Sequence, residues 1–443
     1  MDISEHEVAK MIHPALEGKL LYVAPSKSWW VCDGTFWHID ETEKAVGLIS
    51  DALSASGLVR ANYRTVKNIM SFLKSMVPAL SSDFDADPGV MATGDGELLD
   101  LVRGGESRAV EPHDMISKST KPIKHAEMVA LEEQGVYHAN SDWEMLLDNL
   151  APDHDTRKFL QMAVGMSLVG NVHDHGFILL RGDGGNGKST FVNAVRGALD
   201  DYAVVAPRTL LTRMRVNDAA ELWGARFVVC EELDSGRINT AALKMLTGGD
   251  PLKSRRLYGQ YETVDPTHTL WIVCQELPDL GDDVSEGIWR RAWVIETGPT
   301  VPKIDRDPEL PHRLMEPDCQ AHILHWAVEG LRMWHAAGRE LEPSVIMRGT
   351  VDRWRKATTD PLLVWADEWL DFSDPHAFAS SRELAGSLSA YYGRTYKVTP
   401  TLVGRWMAKD GRAQPDRMWI QDGQKLVAGW RGVRVRPMVA LPL

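Results

Sequence analysis

The stretch HGFILLRGDGGNGKSTFVNAVRGALD, residues 175–200, decides the fold of this chain. Residues 175–180 form a short apolar run that ends at a glycine, which predicts a buried strand. Residues 182–189, GDGGNGKS, match the GxxxxGK[ST] phosphate-binding pattern in full. The residues after it have helical spacing of apolar side chains, at Phe191, Val192, Val195 and Leu199. A strand, a glycine-rich loop and a helix in this order predict a site for a nucleoside triphosphate.

Each residue type in this loop has a chemical purpose. Glycines let backbone N–H groups close around phosphates, and the N-terminus of the following helix adds partial positive charge. Lys188 is expected to reach the β- and γ-phosphates, and the Ser189 hydroxyl to hold Mg²⁺. The alternative, a chance glycine-rich turn, does not explain the flanking strand and helix. The predicted nucleotide-binding set is Gly182, Asp183, Gly184, Gly185, Asn186, Gly187, Lys188, Ser189 and Thr190.

Two more apolar runs, residues 226–230 and 269–274, predict further buried strands, and strands alternating with helices imply a parallel sheet. The first run is followed by Glu231 and Glu232, as required if one carboxylate holds Mg²⁺ and the other polarises the attacking water. The second is followed by Gln275, whose amide is suited to position that water or to sense the γ-phosphate. An ordinary solvated strand end is the alternative at each position.

Composition restricts the class of protein. The 443 residues are 44% hydrophobic and 25% charged, which is typical of a globular protein of two to four domains. No apolar run approaches the roughly 18 residues of a membrane span, and the N-terminus lacks the features of a signal peptide. Four cysteines without CxxC spacing argue against a disulfide framework or a cysteine zinc site and favour a reducing cytoplasm.

Charge is unevenly distributed along the chain. The net charge of −13 disfavours general coating of nucleic acid. Residues 382–436 nevertheless carry eleven Lys/Arg against four Asp/Glu. A basic module on an acidic body can bind DNA locally, because phosphate contacts depend on the local field.

The order of these motifs resembles that of the superfamily-three DNA helicases, in particular the phage and plasmid primase-helicase family. The loop and acidic strand are followed by LKMLTGGDPLKSRRLYG at 243–259, by the amide strand and by WRR at 289–291. DFDADP at 83–88 and GELLDL at 96–101 extend the resemblance, so it covers nearly the whole chain. Two residues depart from the family pattern: Gln275 replaces an asparagine, and Glu231 stands where a small residue is common.

The resemblance implies the fold class: α/β, with a P-loop, AAA+-like parallel-sheet ATPase core. It adds an N-terminal mixed α/β domain, a helical collar at about 142–172 and a C-terminal winged helix. The expected boundaries are 1–141 for the N-terminal domain, 142–342 for the collar and ATPase domain, and 343–443 for a helical connector and the winged helix.

The resemblance also implies an ATP-dependent replicative helicase of a phage or mobile element, with ATP and Mg²⁺ as cofactors. A homo-hexameric ring in the cytoplasm of a bacterial host would translocate on single-stranded DNA and unwind forked duplex, with a separate primase or polymerase as partner and no membrane. In such rings ATP lies between subunits, so an arginine far along the chain completes the neighbour's site. Arg290 is the first candidate and Arg291 the second; surface ion pairs are the alternative.

DNA contacts are expected in two places. Residues 251–264 predict a hairpin, which in related ring helicases enters the central channel; a solvated charged hairpin is the alternative. At the C-terminus, two helices and a basic hairpin predict a winged helix, with a packing domain as the alternative. The predicted channel residues are Lys253, Arg255, Arg256 and Tyr258; the recognition-helix residues are Arg405, Lys409 and Arg412; the wing residues are Lys425, Arg431 and Arg434.

Two other functions compete with the helicase hypothesis. An ATP-switched replication initiator, helicase loader or regulator needs the phosphate loop but no channel hairpin. A nucleotidyl transferase (primase) would use the acidic pair in DFDADP, residues 83–88, but only 82 residues precede it, too few for a primase fold.

Overall fold

A computed structural model describes most of the chain as two compact units. The first is Met1–Leu280 with Val284–Arg348, and the second is Gly281–Asp283 with Gly349–Leu443. Each unit has a hydrophobic core of its own. The structure describes residues 3–58, 62–122, 125–135, 137, 139–171, 175–213, 218–231, 237–254, 262–281, 284–392, 398–420 and 425–436.

The chain begins with a small helical and β-sheet region. Its elements are α1 Glu5–Leu16, β1 Leu20–Val23, β2 Ser28–Cys32, β3 Trp37–Ile39, α2 Lys44–Ser56, α3 Tyr63–Leu73 and β4 Pro78–Ala79. The strands form a sheet in the order β3-β2-β1-β4. Helix α1 begins at a capping box, in which the Ser4 hydroxyl accepts from the Glu7 N–H and the Glu7 carboxylate accepts from the Ser4 N–H. Its apolar face packs against α2 and α3.

Residues 83–118 are rich in aspartate, glycine and turn signals, which predict loops and short strands, and the structure confirms this. It contains β5 Val90–Ala92, β6 Glu97–Asp100 and β7 Glu106–Ala109 in one antiparallel sheet, followed by α4 His125–Glu133. The buried guanidinium of Arg226 donates to the carbonyls of Pro88 and Val90, at 2.9 and 3.2 Å. The Tyr202 hydroxyl accepts from the Ala92 N–H at 3.1 Å. These contacts fix the segment to the region that follows it.

That region is built on a five-stranded parallel sheet in the order β14-β8-β13-β10-β9. Every residue of β10 and β13 is buried, as expected for strands covered on both faces. The strands predicted from the three apolar runs are confirmed. The elements are α5 Ser141–Leu150, α6 His154–Leu168, β8 Phe177–Arg181, α7 Lys188–Leu199, β9 Ala203–Val205, α8 Thr209–Thr212, β10 Phe227–Cys230, α9 Thr240–Thr247, β11 Leu252–Ser254, β12 Glu262–Val264, β13 Thr269–Cys274, α10 Glu286–Trp289, β14 Ala292–Glu296, α11 Leu310–Arg313 and α12 Pro317–Ala336.

The second unit combines helices with short antiparallel sheets. Its strands pair as β16-β18-β17 and β15-β19. Helix α16 begins where the Thr399 hydroxyl accepts from the Leu402 N–H at 3.2 Å, and it ends at Gly411 with φ 77°, as the sequence predicts. The elements from Val345 onward are α13 Val345–Thr359, α14 Pro361–Trp369, β15 Leu370–Asp371, β16 Phe378–Ser380, α15 Ser381–Tyr392, α16 Pro400–Asp410, β17 Gln414–Ile420, β18 Lys425–Arg431 and β19 Arg434–Val435. Within the described ranges, no helix combines the length and apolar character that crossing a bilayer requires.

Helices α6 and α12 cross at a point where two glycines leave no room for a side chain. A Cβ on Gly165 would lie 2.1 Å from the Leu331 nitrogen, and a Cβ on Gly330 would lie 2.1 Å from the Gln161 carbonyl oxygen. Both obstacles are backbone atoms inside helices, which cannot move aside independently. The close crossing brings α12 onto the sheet region and therefore requires glycine.

We expect Gly165→Ala to destabilise the first unit by at least about 2 kcal/mol, because overpacking at a rigid contact forces the helices apart. The matched control is Gly47→Ala in helix α2, where a Cβ meets nothing within 4 Å. That substitution should be neutral or stabilising by up to about 1 kcal/mol. Scanning calorimetry measures both. Equal unfolding temperatures for the two variants would contradict the tight crossing.

Candidate active site

Three parallel strands bring Lys188, Glu231 and Gln275, three of the predicted catalytic residues, to one edge of the sheet. Arg290 and Arg291 directly precede β14 and therefore lie toward the opposite edge of the same sheet. Cys274 at the end of β13 pairs with Arg181 at the end of β8, and Cys230 of β10 pairs with Ile272. Because β13 lies between β8 and β10, Gln275 follows a strand flanked by the glycine loop on one side and Glu231 on the other. They line one cavity of about 330 Å³, bordered by Gly184, Gly185, Asn186, Gly187, Lys188, Ser189, Thr190, Glu231, Val273, Cys274 and Gln275. Parallel α/β sheets bind ligands at this edge.

The glycine loop has a backbone that few other residues adopt. Gly185 and Gly187 have φ values of 74° and 90°, in the left-handed region that favours glycine. A Cβ on Gly182 would lie 2.1 Å from the Thr297 hydroxyl oxygen. The loop therefore closes tightly against the residue that follows β14. The Val301 N–H also donates to the Gly185 carbonyl at 3.0 Å, so the start of the proline-rich segment 299–317 lies against the loop.

Asn186 holds the loop in place. Its side chain is 1% exposed and donates from Nδ2 to the Thr297 hydroxyl at 2.5 Å and to the Gly298 carbonyl at 3.3 Å. Asn149 of α5 donates to the Asn186 carbonyl at 3.3 Å. The sequence predicts Asn186 but not Asn149 or Thr297. The apolar residues of β14 could have identified Thr297 as the residue after a buried strand. Asn149 lies in a helix, and no sequence pattern around it points to the loop.

Lys188 is a buried cation held by neutral oxygens. Its Nζ donates to the Gly182 carbonyl at 2.5 Å and to the Asn186 Oδ1 at 2.8 Å. Burial lowers the pKa of Lys188 from its ordinary value. No carboxylate of the described residues forms an ion pair with it. Since a buried charge is costly without a counter-ion, this end of the cavity fits an anionic ligand.

Glu231 supplies the opposite charge. It immediately follows β10, and its Oε1 is inaccessible to solvent and has no hydrogen-bond partner among the described residues. The Ser189 hydroxyl lines the same cavity. This hydroxyl and the unpartnered Glu231 oxygen are oxygen donors, which are the ligands that Mg²⁺ prefers. The residues present therefore fit this cation. Glu232, predicted as the water-activating carboxylate, lies outside the described residues.

The two arginines of the WRR motif have different environments. Arg291 is half-buried and donates from Nη1 to the Lys244 carbonyl at 3.3 Å and to the Thr247 hydroxyl at 3.4 Å, at the end of α9. Burial lowers the pKa of Arg291. Arg290 is exposed. The adjacent Trp289 and Trp293 are both buried, and Trp293 belongs to the central core.

The predicted channel hairpin is present as strands β11 and β12. They pair antiparallel, with exposed Lys253 opposite Thr263. The other three residues predicted to contact DNA here, Arg255, Arg256 and Tyr258, lie outside the described residues.

The predicted DNA-binding residues of the second unit fall into two groups. Arg405 and Lys409 are exposed and lie one helical turn apart on α16. Three arginines instead have carboxylate partners: Arg412 contacts Asp367 and Asp410 at 2.6 and 2.8 Å, Arg431 contacts Asp416 at 2.6 Å, and Arg434 contacts Asp371 at 2.6 Å. Lys425 begins β18, and its side chain lies outside the described part of the structure.

Comparison with known proteins gives family matches for two segments. Residues 9–122 match the family described as "D5 N terminal like", and residues 180–291 match a "Family of unknown function (DUF5906)". "Putative helicase L207/L206" of Acanthamoeba polyphaga mimivirus is 31% identical over 156 residues. The match covers 34% of this chain and only 16% of the viral protein.

Solved structures show a related fold. The apo structure of the NrS-1 C-terminal region, residues 305–718, has a TM-score of 0.50 at 12% identity and covers 97% of this chain and all of that one. Another structure of that region has a TM-score of 0.49 at 11% identity. At this identity the similarity concerns the fold alone. The D5-type N-terminal segment, the viral helicase relative and the fold confirm the resemblance to a phage-type primase-helicase.

The two arginines should differ in their effect on stability. We expect Arg291→Ala to destabilise the first unit by about 1 kcal/mol, since it removes charged hydrogen bonds to the end of α9. Arg290→Ala is the matched control and should change stability by less than about 0.5 kcal/mol, as is usual for exposed positions. Urea unfolding monitored by tryptophan fluorescence compares them. A larger loss for Arg290→Ala would reverse the assignment.

Proposed function

We propose that this chain is an ATP-dependent replicative DNA helicase of a phage or mobile element, acting as a hexameric ring that translocates on single-stranded DNA and unwinds duplex. One observation carries the proposal. Among the described residues, one cavity brings together buried Lys188, which has no carboxylate partner, and Glu231, which has a buried oxygen without a hydrogen-bond partner. A nucleoside triphosphate with Mg²⁺ complements both charges, which supports a P-loop ATPase of the AAA+ type.

The residues of the cavity divide the chemistry among them. Lys188 exchanges its two neutral oxygen partners for the β- and γ-phosphates, which are stronger partners for an ammonium. The Ser189 hydroxyl and the Glu231 carboxylate would hold Mg²⁺, which when bound neutralises phosphate charge. Glu232 is proposed to accept the proton of the attacking water, and the Gln275 amide to orient that water. Thr190 and the loop N–H groups complete the phosphate site.

The ring arrangement explains the exposure of Arg290. An arginine that serves a neighbouring subunit's site must be accessible on its own subunit, as Arg290 is. Arg291 instead contacts the end of α9, within the LTGGD motif, and so holds the WRR element in position. This division supports Arg290 as the residue that stabilises charge on the transferring phosphoryl group of the next subunit.

DNA binding is assigned to the hairpin and to the second unit. Strand β16, helices α15 and α16, and then strands β17 and β18 follow one another along the chain, and the three strands form one antiparallel sheet. This order supports a winged helix there. Arg405 and Lys409 are the best-placed phosphate ligands of α16, because both are exposed. To bind a phosphate, Arg412 would have to give up its contacts with two carboxylates. Its guanidinium carbon also lies 4.3 Å from the centre of the Phe372 ring, and this contact would be lost as well. Lys253 and its hairpin are proposed to contact DNA in the channel.

Nucleotidyl transfer by DFDADP receives no support from the geometry. Asp85 accepts hydrogen bonds from the N–H groups of Ser117 and Lys118 and from the Ser117 hydroxyl. Asp87 accepts from the Gly89 N–H at 2.8 Å. Both carboxylates close loops in the chain.

A mixing experiment tests shared sites. Lys188→Ala and Arg290→Ala should each abolish ATP hydrolysis and unwinding of a forked duplex, because one removes the loop cation and the other the neighbour's cation. An equal mixture of the two should regain part of the ATPase, since mixed interfaces pair an intact loop with an intact arginine. Steady-state ATP hydrolysis and fluorescent strand separation are the measurements.

The controls of this experiment separate the competing functions. An exposed-position variant such as Arg382→Ala should keep full activity. Normal hydrolysis by Arg290→Ala would remove the shared-site argument. Hydrolysis without any unwinding by the wild-type protein would favour the loader or regulator instead.

DNA binding by α16 makes a second prediction. The double variant Arg405→Ala/Lys409→Ala should weaken binding to single-stranded DNA about tenfold or more at 0.1 M salt. Loss of two phosphate contacts should also lower the slope of log K against log salt by about 1.4. Fluorescence anisotropy across a salt series measures both quantities. The control, Lys356→Ala/Arg382→Ala, removes the same charge from other exposed positions of the unit, and equal losses in the two would refute a specific role for α16.

A further inference from the structure

Helix α4 packs against α12 around a group of histidine and glutamate side chains far from the nucleotide motifs in sequence. Glu132 comes from α4, while His325 and Glu329 lie one turn apart on α12. These three residues are here called the histidine–glutamate cluster. Two further histidines lie beside it, with the His125 ring 5.8 Å from that of His325, and His322 stacked against Tyr137.

The geometry of the cluster is close to that of a metal site. One ligand atom from each of its three residues lies within 4.8 Å of the other two. The His325 Nε2 is 3.5 Å from the Glu132 Oε2. Ligands of a tetrahedral ion with bonds of about 2.1 Å are about 3.4 Å apart, so small side-chain rotations would complete the set.

The imidazoles of this region provide a second, independent observation. His325 is 0% exposed and His125 is 1% exposed, and neither ring nitrogen of either residue has a hydrogen-bond partner among the described residues. Native proteins rarely bury polar atoms without partners, and a neutral imidazole always offers one free lone pair. Two such histidines lie beside two carboxylates, and a bound metal ion would accept the free lone pairs of their ring nitrogens.

The local charge also fits a cation. Glu132 and Glu329 bring two carboxylates, and the facing guanidinium of Arg332 lies 3.5 Å from Glu132. The Arg332 Nε is already committed to the Gly104 carbonyl at 2.9 Å, so this side chain is anchored. A divalent ion between the two helices would attract both carboxylates.

We propose that Glu132, His325 and Glu329 bind a divalent transition-metal ion of the Zn²⁺ type, with His125 or water in the fourth position. Mixed imidazole and carboxylate donors favour such an ion over Mg²⁺ or Ca²⁺, which prefer oxygen alone. The ion would join α4 to α12. Since α4 directly follows the D5-like segment and α12 packs on α6 and α7, the bound metal fastens the N-terminal region to the sheet region.

Metal binding by the full chain tests the proposal. The protein is purified without a histidine tag and without chelators, and its zinc content, Zn²⁺ affinity and unfolding midpoint in Zn²⁺ and in EDTA are measured. We expect about one Zn²⁺ per chain and a midpoint raised on the order of 5 °C by Zn²⁺ at 100 times the dissociation constant. Glu329→Gln and His325→Gln should each weaken Zn²⁺ binding about 100-fold or more and abolish the shift.

Matched controls keep the result specific. Glu340→Gln and His154→Gln change the same residue types at exposed positions and should retain wild-type affinity. A wild-type midpoint that is equal in Zn²⁺ and EDTA would overturn the proposal, as would Zn²⁺ binding that neither cluster variant weakens.

Substitution with Co²⁺ tests the wild-type chain directly, so the proposal does not depend on variants that fold. Visible d–d bands without thiolate charge-transfer absorption are expected from a nitrogen and oxygen donor set. Thiolate bands would place the metal on cysteine and overturn the assignment. None of these measurements involves nucleotide or DNA, so their failure would leave the proposed helicase function untouched.

Discussion

The parallel pairing of β8 with β13 on one side and β14 on the other is the constraint on which the site depends. It sets Arg181, Cys274 and Glu296 at one level of the sheet. The glycine loop, Gln275 and Thr297 therefore all begin at the same edge. The Thr297 hydroxyl then accepts a hydrogen bond from the Asn186 side-chain nitrogen, and the Asn186 side-chain oxygen accepts one from Lys188. A shift of β14 by one residue would break the Asn186–Thr297 hydrogen bond, and Lys188 would no longer be held in position by Asn186.

This arrangement leaves the charges of Lys188 and Glu231 in the cavity without opposite charges beside them among the described residues. In the part of the chain that the structure describes, Lys188 contacts neutral oxygens and no carboxylate, and one buried Glu231 oxygen has no hydrogen-bond partner. Both arrangements are energetically costly, and a nucleoside triphosphate with Mg²⁺, the proposed ligand, would relieve both. The same reasoning underlies the proposed metal site at the histidine–glutamate cluster, because neither ring nitrogen of buried His325 has a hydrogen-bond partner among the described residues.

Much of the fold was predictable because its signals are local. Strands β8, β10 and β13 are apolar runs, α7 has helical spacing, and α16 carries its cap at Thr399 and its stop at Gly411. Sequence reasoning missed β14 as an element of the site. It also grouped Arg412, Arg431 and Arg434 with the DNA ligands, whereas the structure gives each an acidic partner; their DNA role stays a prediction.

The sequence by itself determined the glycine loop, the buried strands with polar residues after them, the order of motifs and hence the resemblance to primase-helicases. These follow from residue types at short spacing. Only the tertiary structure decided that Asn149 and Thr297 support the loop, that Arg290 is exposed while Arg291 is engaged, and that Glu132 meets His325. Those residues are brought together by sheet order and helix packing, which depend on the burial of apolar surface over the whole unit and leave no pattern in any short stretch of sequence.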